Sequence, residues 1–169
     1  MAFYNHIIQV EEIEVLARPC NIDEAIGERY IEEAELQDVK SILGDALFFD
    51  IVDHQEKYAT LLNGGKYEYK GEKRGFMGLK CALAYYAWAR MVKNSVNHLT
   101  RFGFVSKNDD YSRPVEWKER QVAYNDAYAV ADGYMQECME YLKSQNIIKG
   151  DNEVSKISNK RTFFKAIGK

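Results

Sequence analysis

The sequence is poor in the residues that carry covalent and metal chemistry. Among 169 residues there are three cysteines and three histidines. Cys20, Cys81 and Cys138 are odd in number and widely spaced, with no CxxC pair and no Cys/His ligand cluster. They imply a reducing compartment and do not imply zinc. His6, His54 and His98 stand far apart, outside HExxH or any other ligand spacing, and read as surface or helix-end histidines. No serine sits in GxSxG and no cysteine has the local setting of a protease nucleophile, so covalent catalysis is unsupported. Gly64, Gly65, Gly71, Gly75 and Gly78 are close together, but GxxxxGK[ST] is absent and no hydrophobic strand precedes them. They read as turn and cap glycines.

Long apolar runs are also lacking. The N-terminal stretch has no basic segment followed by an apolar one, and Lys80 and Arg90 interrupt the most apolar later stretch, Phe76 to Val92. Neither secretion nor membrane insertion is expected.

What the chain does have is a globular composition, 46% hydrophobic and 29% charged, far from the signature of disorder. A domain of this length buries roughly 68–70% of the surface its unfolded chain exposes, enough for a core. Aromatic residues reach 13%, twelve of them Tyr, which suits interfaces as well as cores. The net charge of -3 hides a division. Residues 1–60 hold 14 acids and 4 bases, net -10, and residues 61–169 hold 19 bases and 12 acids, net +7. Such a division fits two solvated faces of one subunit, or a head-to-tail contact between unlike patches of neighbouring subunits.

Helical spacing dominates the first 150 residues. A first helix is expected from about Val10 to Ala17, ended by Arg18-Pro19. A second, capped by Asn21 or Asp23, carries Ile22, Ile26, Tyr30, Ala34, Val39, Ile42 and Leu43 up to Gly44. A third, capped by Asp45, runs through Phe48, Ile51, Val52, Tyr58, Leu61 and Leu62 to Asn63-Gly64-Gly65. Residues 66–75 alternate aromatic and charged side chains around Lys70-Gly71 and predict a small β-hairpin, which must lie on something because an isolated hairpin is marginal. The segment from about Phe76 to Val96 is apolar or small on nearly every face and belongs at the centre of a bundle. Asn97 to Asp110 reads as an extended connection. Pro114 then opens a last long helix with a core stripe of Val115, Val122, Ala127, Ala131, Tyr134, Cys138, Tyr141 and Leu142. The fold class expected is thus mainly α, a helical bundle over residues 1–150 with a β-hairpin insertion, followed by an extended C-terminal arm over 151–169.

Three sets of residues are candidates for function. The hairpin residues Tyr67, Tyr69, Lys70, Lys73 and Arg74, with Lys66, combine bases with stacking side chains. That is a recipe for single-stranded nucleic acid, but the negative overall charge and two acids within the cluster favour a protein-docking role between subunits. Asp109-Asp110, and Glu32, Glu33 and Glu35 with Asp38, resemble paired carboxylates for a divalent cation. The simpler readings, a loop ahead of the last helix and a solvated helix face, are preferred, and no metal or cofactor is expected. In the arm, five bases and two acids surround Phe163-Phe164. Lys160, Arg161, Phe163, Phe164 and Lys165 would make an apolar anchor with cationic flanks that orders on a partner.

The order NGG-x-Y-x-Y-x-G, ALAYYAWARMV, TRFG-x-V-x-KND-x-YS-x-P and NDAYAVADGYMQECMEYL, over about Leu61 to Leu142, resembles the small head-tail connector (neck adaptor) proteins of tailed bacteriophages, notably those of Bacteroidales and crAss-like phages. The earlier "PCNID" and "ILGDALF" are similar too. The resemblance implies a structural protein and not an enzyme: a helical subunit of a ring, usually of twelve copies, joining the portal protein of the capsid to adjoining neck or tail proteins. DNA would pass close by without specific contacts. It implies location in the virion neck, with assembly in the host cytoplasm, and a C-terminal arm that docks on the portal, in the place of residues 151–169. A metal-dependent nuclease and a monomeric nucleic-acid-binding regulator are the alternatives from other classes.

Overall fold

The computed structural model describes residues 4–18, 22–94, 97–100, 103–106 and 116–148, with only the backbone described between 97 and 106. The expected Val115 and Gly150 positions, Asp109-Asp110 and the whole arm, Lys160, Arg161, Phe163, Phe164 and Lys165 included, lie outside the described residues.

The described part is mainly helical with a small antiparallel β-hairpin. Its centre is a pair of antiparallel helices, α6 (Leu79–Asn94) and α7 (Trp117–Ser144). Leu79, Ala82, Leu83, Ala84, Tyr86, Ala87 and Ala89 of α6 are fully buried, as a helix with small and apolar residues on nearly every face must be when it sits mid-bundle. Ala127, Ala131, Met135, Cys138 and Leu142 form the facing stripe of α7, at spacings of three and four residues. The helix begins at Leu79 instead of Phe76, because Phe76 ends a strand and Met77-Gly78 turns the chain. Val122, expected in the core stripe, is 67% exposed, because five positions before Ala127 and nine before Ala131 place it on the opposite face of α7.

The N-terminal half wraps this pair. Helix α1 (Val10–Leu16) is followed by α2 (Glu24–Glu33), whose N-cap Asp23 accepts a hydrogen bond from the Ile26 amide at 3.2 Å. The two helices cross at Gly27, where a Cβ would meet the Val10 methyls at 2.8 Å. Ile26 itself is 49% exposed and not core. The helix continues through a π-helical turn, Ala34–Val39, into α3 (Lys40–Leu43) and stops at Gly44. Gly44 rather than Asp45 takes the N-cap position of the next helix, and Asp45 is its first residue.

The expected third helix is two helices, α4 (Asp45–Asp53) and α5 (Ala59–Asn63). Neither glycine nor proline breaks it. The backbone instead shifts to hydrogen bonds three residues apart, from the Lys57, Tyr58 and Ala59 amides to the His54, Gln55 and Glu56 carbonyls, while the Asp50 carboxylate gathers the Lys57 ammonium at 2.8 Å, the Tyr58 hydroxyl and the His54 imidazole at 3.0 Å. The hydrogen bond from Lys57, then that from Tyr58, hold the Asp50 carboxyl down at about 2.

Strands β1 (Gly65–Tyr69) and β2 (Glu72–Phe76) form the hairpin, paired from Gly65 with Phe76 to Tyr69 with Glu72. Lys70 and Gly71 both take positive φ, 53° and 80°, the backbone of a tight two-residue turn. At the base, Gly64 (φ +77°) and Gly78 (φ +92°) touch backbone to backbone. A second hairpin, β3 (Asn97–Thr100) with β4 (Gly103–Ser106), occupies part of the segment expected as a plain connection.

Candidate interaction surface

The hairpin rests on the C-terminal half of α7. Phe76 stacks on Tyr141 with ring centroids 4.6 Å apart, and Tyr67 meets both rings edge-on at 5.7 and 5.3 Å. Arg74 reaches Glu140 at 2.7 Å and Glu72 at 3.2 Å. Alternation along a strand puts successive side chains on opposite faces, so Tyr67, with its cross-strand partner Arg74, faces the bundle. Lys66, Lys70 and Lys73 are exposed, and Tyr69 lies under the cations of Lys70 at 5.2 Å and Arg74 at 5.7 Å. Of the five hairpin residues singled out in the sequence, Tyr67 and Arg74 thus serve the subunit's own packing. Tyr69 is half-buried on the same strand face as Tyr67, and only Lys70 and Lys73 of the five stand fully exposed, at the tip and on the outer face.

The other charged surface belongs to α1 and α2. Glu11, Glu14, Asp23, Glu24 and Glu28 are exposed there, with Val15 (82% exposed) and Ile26 among them. Met77, beside the hairpin base, is 54% exposed. One folded body therefore carries an acidic surface and a basic-aromatic projection, each with an uncovered apolar side chain.

The expected solvated face of Glu35 and Asp38 is not solvated. The π-helical turn rolls both inward, leaving Glu35 0% and Asp38 5% exposed. Glu35 accepts hydrogen bonds from the Tyr4 hydroxyl (2.9 Å), His6 Nδ1 (2.6 Å) and the Ile7 amide (2.6 Å). Asp38 accepts from Arg90 Nε on α6 at 2.8 Å and from the Tyr128 hydroxyl on α7, while Glu33 lies 3.4 Å from Arg90. Buried carboxylates of this kind are satisfied by donors and tie elements together. Among the described residues no group of three or more His, Cys, Asp or Glu is arranged to hold a metal ion. His54 is an exposed helix-end histidine as expected, but His6 is partly buried on Glu35, and the side chain of His98 lies outside the described residues. Cys81 and Cys138 are buried free thiols, and burial pushes both upward. Such thiols are poor nucleophiles at neutral pH. No helix among the described residues is long and apolar enough to cross a membrane.

A mainly helical bundle with a docked hairpin is the class this geometry defines. The sequence pattern of a family of unknown function (DUF6712) matches residues 39–148, and the chain belongs to that family. The matched span runs from the end of the π-helical turn through α3 to α7 and includes the hairpin. No curated protein and no solved structure matches the chain.

Proposed function

We infer that the protein is a structural subunit of a tailed-phage neck ring, joining the portal vertex to the tail and bordering the channel for DNA. The observation that carries this reading is the motif order from Leu61 to Leu142, which resembles the connector proteins. Among the described residues that stretch includes a hairpin packed on the α6/α7 pair with Lys70 and Lys73 exposed. Unlike patches on one subunit also fit a heterologous ring contact, in which the acidic surface of α1 and α2 meets the basic hairpin of a neighbour. Residues 151–169 act as the attachment arm to the portal or an adjoining ring, with Phe163 and Phe164 as anchors. Twelve copies, a place in the virion neck and assembly in the host cytoplasm follow from the same reading, as does the lack of enzymatic activity.

The test is reconstitution. The purified chain, mixed with the portal protein of its own virion, should add a ring of density beneath the portal in electron micrographs. Portal particles without added density, at concentrations well above those of assembly, would contradict the reading.

A further inference from the structure

The N-terminal segment is held by a different device from the rest of the bundle. Residues 4–8 have no helical or strand hydrogen bonds of their own, yet Ile7 and Ile8 are 2% and 1% exposed. Three of their polar contacts converge on one group. Glu35, from the π-helical turn, takes the Tyr4 hydroxyl, His6 Nδ1 and the Ile7 amide on its two carboxylate oxygens. Tyr4 also meets Phe48 edge-on at 5.7 Å, and Gln55 donates to the His6 carbonyl at 3.3 Å. His6 is the one member of this cluster in contact with water that titrates near neutrality, its side chain being 18% exposed against 0% for Glu35.

We propose that residues 4–8 form a pH-sensitive latch, clasped on the bundle while His6 is charged and loosened when it loses its proton, uncovering the seat of Ile7 and Ile8. The ion pair across 2.6 Å provides the coupling. A neutral imidazole can still donate from Nδ1, but it no longer balances a fully buried carboxylate, so the clasped state loses the charge-assisted part of its attachment. The charged groups facing His6 are Glu35 on the π-helical turn and Glu32 and Glu28 on α2, all acidic. Helix α4 presents the rings of Phe48 and Phe49 to Tyr4, with Lys40 over the far ring and paired to Asp45 at 3.5 Å. The turn after α4 presents the uncharged Gln55. The hydrogen bond to Glu35 is the largest influence and raises the His6 value against partial desolvation.

A raised folded-state value fixes the sign. The latch is fully clasped below the ordinary histidine value, about 6.5, and loosens as pH rises through the raised one. Between the two, the opening equilibrium shifts by up to about tenfold per pH unit for one proton. The device rests on the subunit's own contacts and holds whether or not the chain assembles into rings.

Amide hydrogen exchange on the full chain tests it, read as protection factors so that the intrinsic base catalysis of exchange is removed. The Ile7 amide should lose protection by up to about tenfold per pH unit in that window, while the Leu83 amide in α6 holds its own. His6→Gln, which keeps a donor but does not titrate, should make Ile7 protection independent of pH. The His6 ring resonances of the unmodified chain supply a second readout, with a midpoint above the ordinary histidine value expected. A midpoint at or below that value, a flat Ile7 profile, equal slopes in His6→Gln, or joint loss at Ile7 and Leu83 would each overturn the latch.

Discussion

Tyr86 donates its hydroxyl hydrogen to Asp132 across the α6/α7 interface at 2.7 Å, a buried link between residues 46 positions apart. Around it lie Leu83, fully buried, and the Tyr128 ring, edge-on to Tyr86 at 4.9 Å. Leu83→Ala should destabilise the fold by ~2–5 kcal/mol through lost transfer energy and a cavity. Tyr86→Phe should cost ~1–3 kcal/mol by leaving the Asp132 carboxylate short of a donor where it is 9% exposed. Chemical denaturation reads both, and a change near zero in Leu83→Ala would remove α6 from the core.

The contact of Gly64 with Gly78 sets how the hairpin leaves the bundle. A Cβ at Gly64 would lie 2.5 Å from the Phe76 carbonyl oxygen, and one at Gly78 would lie 2.4 Å from the Gly64 nitrogen. Each position also has a positive φ, so alanine adds about 1–3 kcal/mol of backbone strain to the clash. Thermal unfolding of Gly64→Ala or Gly78→Ala should show a large loss. Stability within about 0.5 kcal/mol of the parent would mean that the two backbones do not touch.

Hairpin residues divide by role, and mutation should separate them. Phe76→Ala should cost about 3–5 kcal/mol, because the ring is 6% exposed between Tyr67 and Tyr141. Lys70→Glu with Lys73→Glu should leave folding intact and slow ring assembly, most strongly at low salt, since exposed charges are screened beyond about 8–10 Å at physiological ionic strength. Assembly rates followed by light scattering across a salt series give the answer. An unchanged rate at low salt would take the hairpin tip out of the interface.

The arm has its own prediction. Deleting residues 151–169 should leave a folded, soluble domain that no longer binds the portal, and Phe163→Ala with Phe164→Ala should reproduce most of that loss. Burial of one Phe contributes ~1.5–3 kcal/mol, so two anchors suffice for a short arm whose ordering costs entropy at every residue. Portal binding undiminished by the deletion, or failure of the truncated chain to fold, would contradict this role.

How much of this was legible in the sequence follows the range of the forces involved. The Lys70-Gly71 turn and the all-round apolar helix around Leu83 and Tyr86 are set by neighbours in the chain, and both are found where the pattern places them. The break between α4 and α5 escapes such reading because residues 54–58 hold no glycine or proline; three-residue backbone hydrogen bonds replace the helical ones there. Glu35 and Asp38 look like members of an acidic helix face. Their donors, Tyr4, His6 and Ile7 for one, Arg90 and Tyr128 for the other, stand 28 to 90 positions away, and the π-helical turn that aims them has no signature in these residue types. Val122 stands five positions before Ala127 and nine before Ala131, which at about 3.6 residues per turn puts it on the face of α7 opposite the buried positions, so helical geometry itself exposes it. Sequence spacing places the basic hairpin, and only packing separates Tyr67 and Arg74, turned onto α7, from the exposed Lys70 and Lys73.

Native mass spectrometry of the full chain, alone and with the portal protein, tests the neck-ring reading most directly. The account predicts a closed homo-oligomer of a single size, twelve copies, either free or captured on the portal. A chain that stays monomeric at every concentration and leaves the mass of the portal unchanged would contradict it.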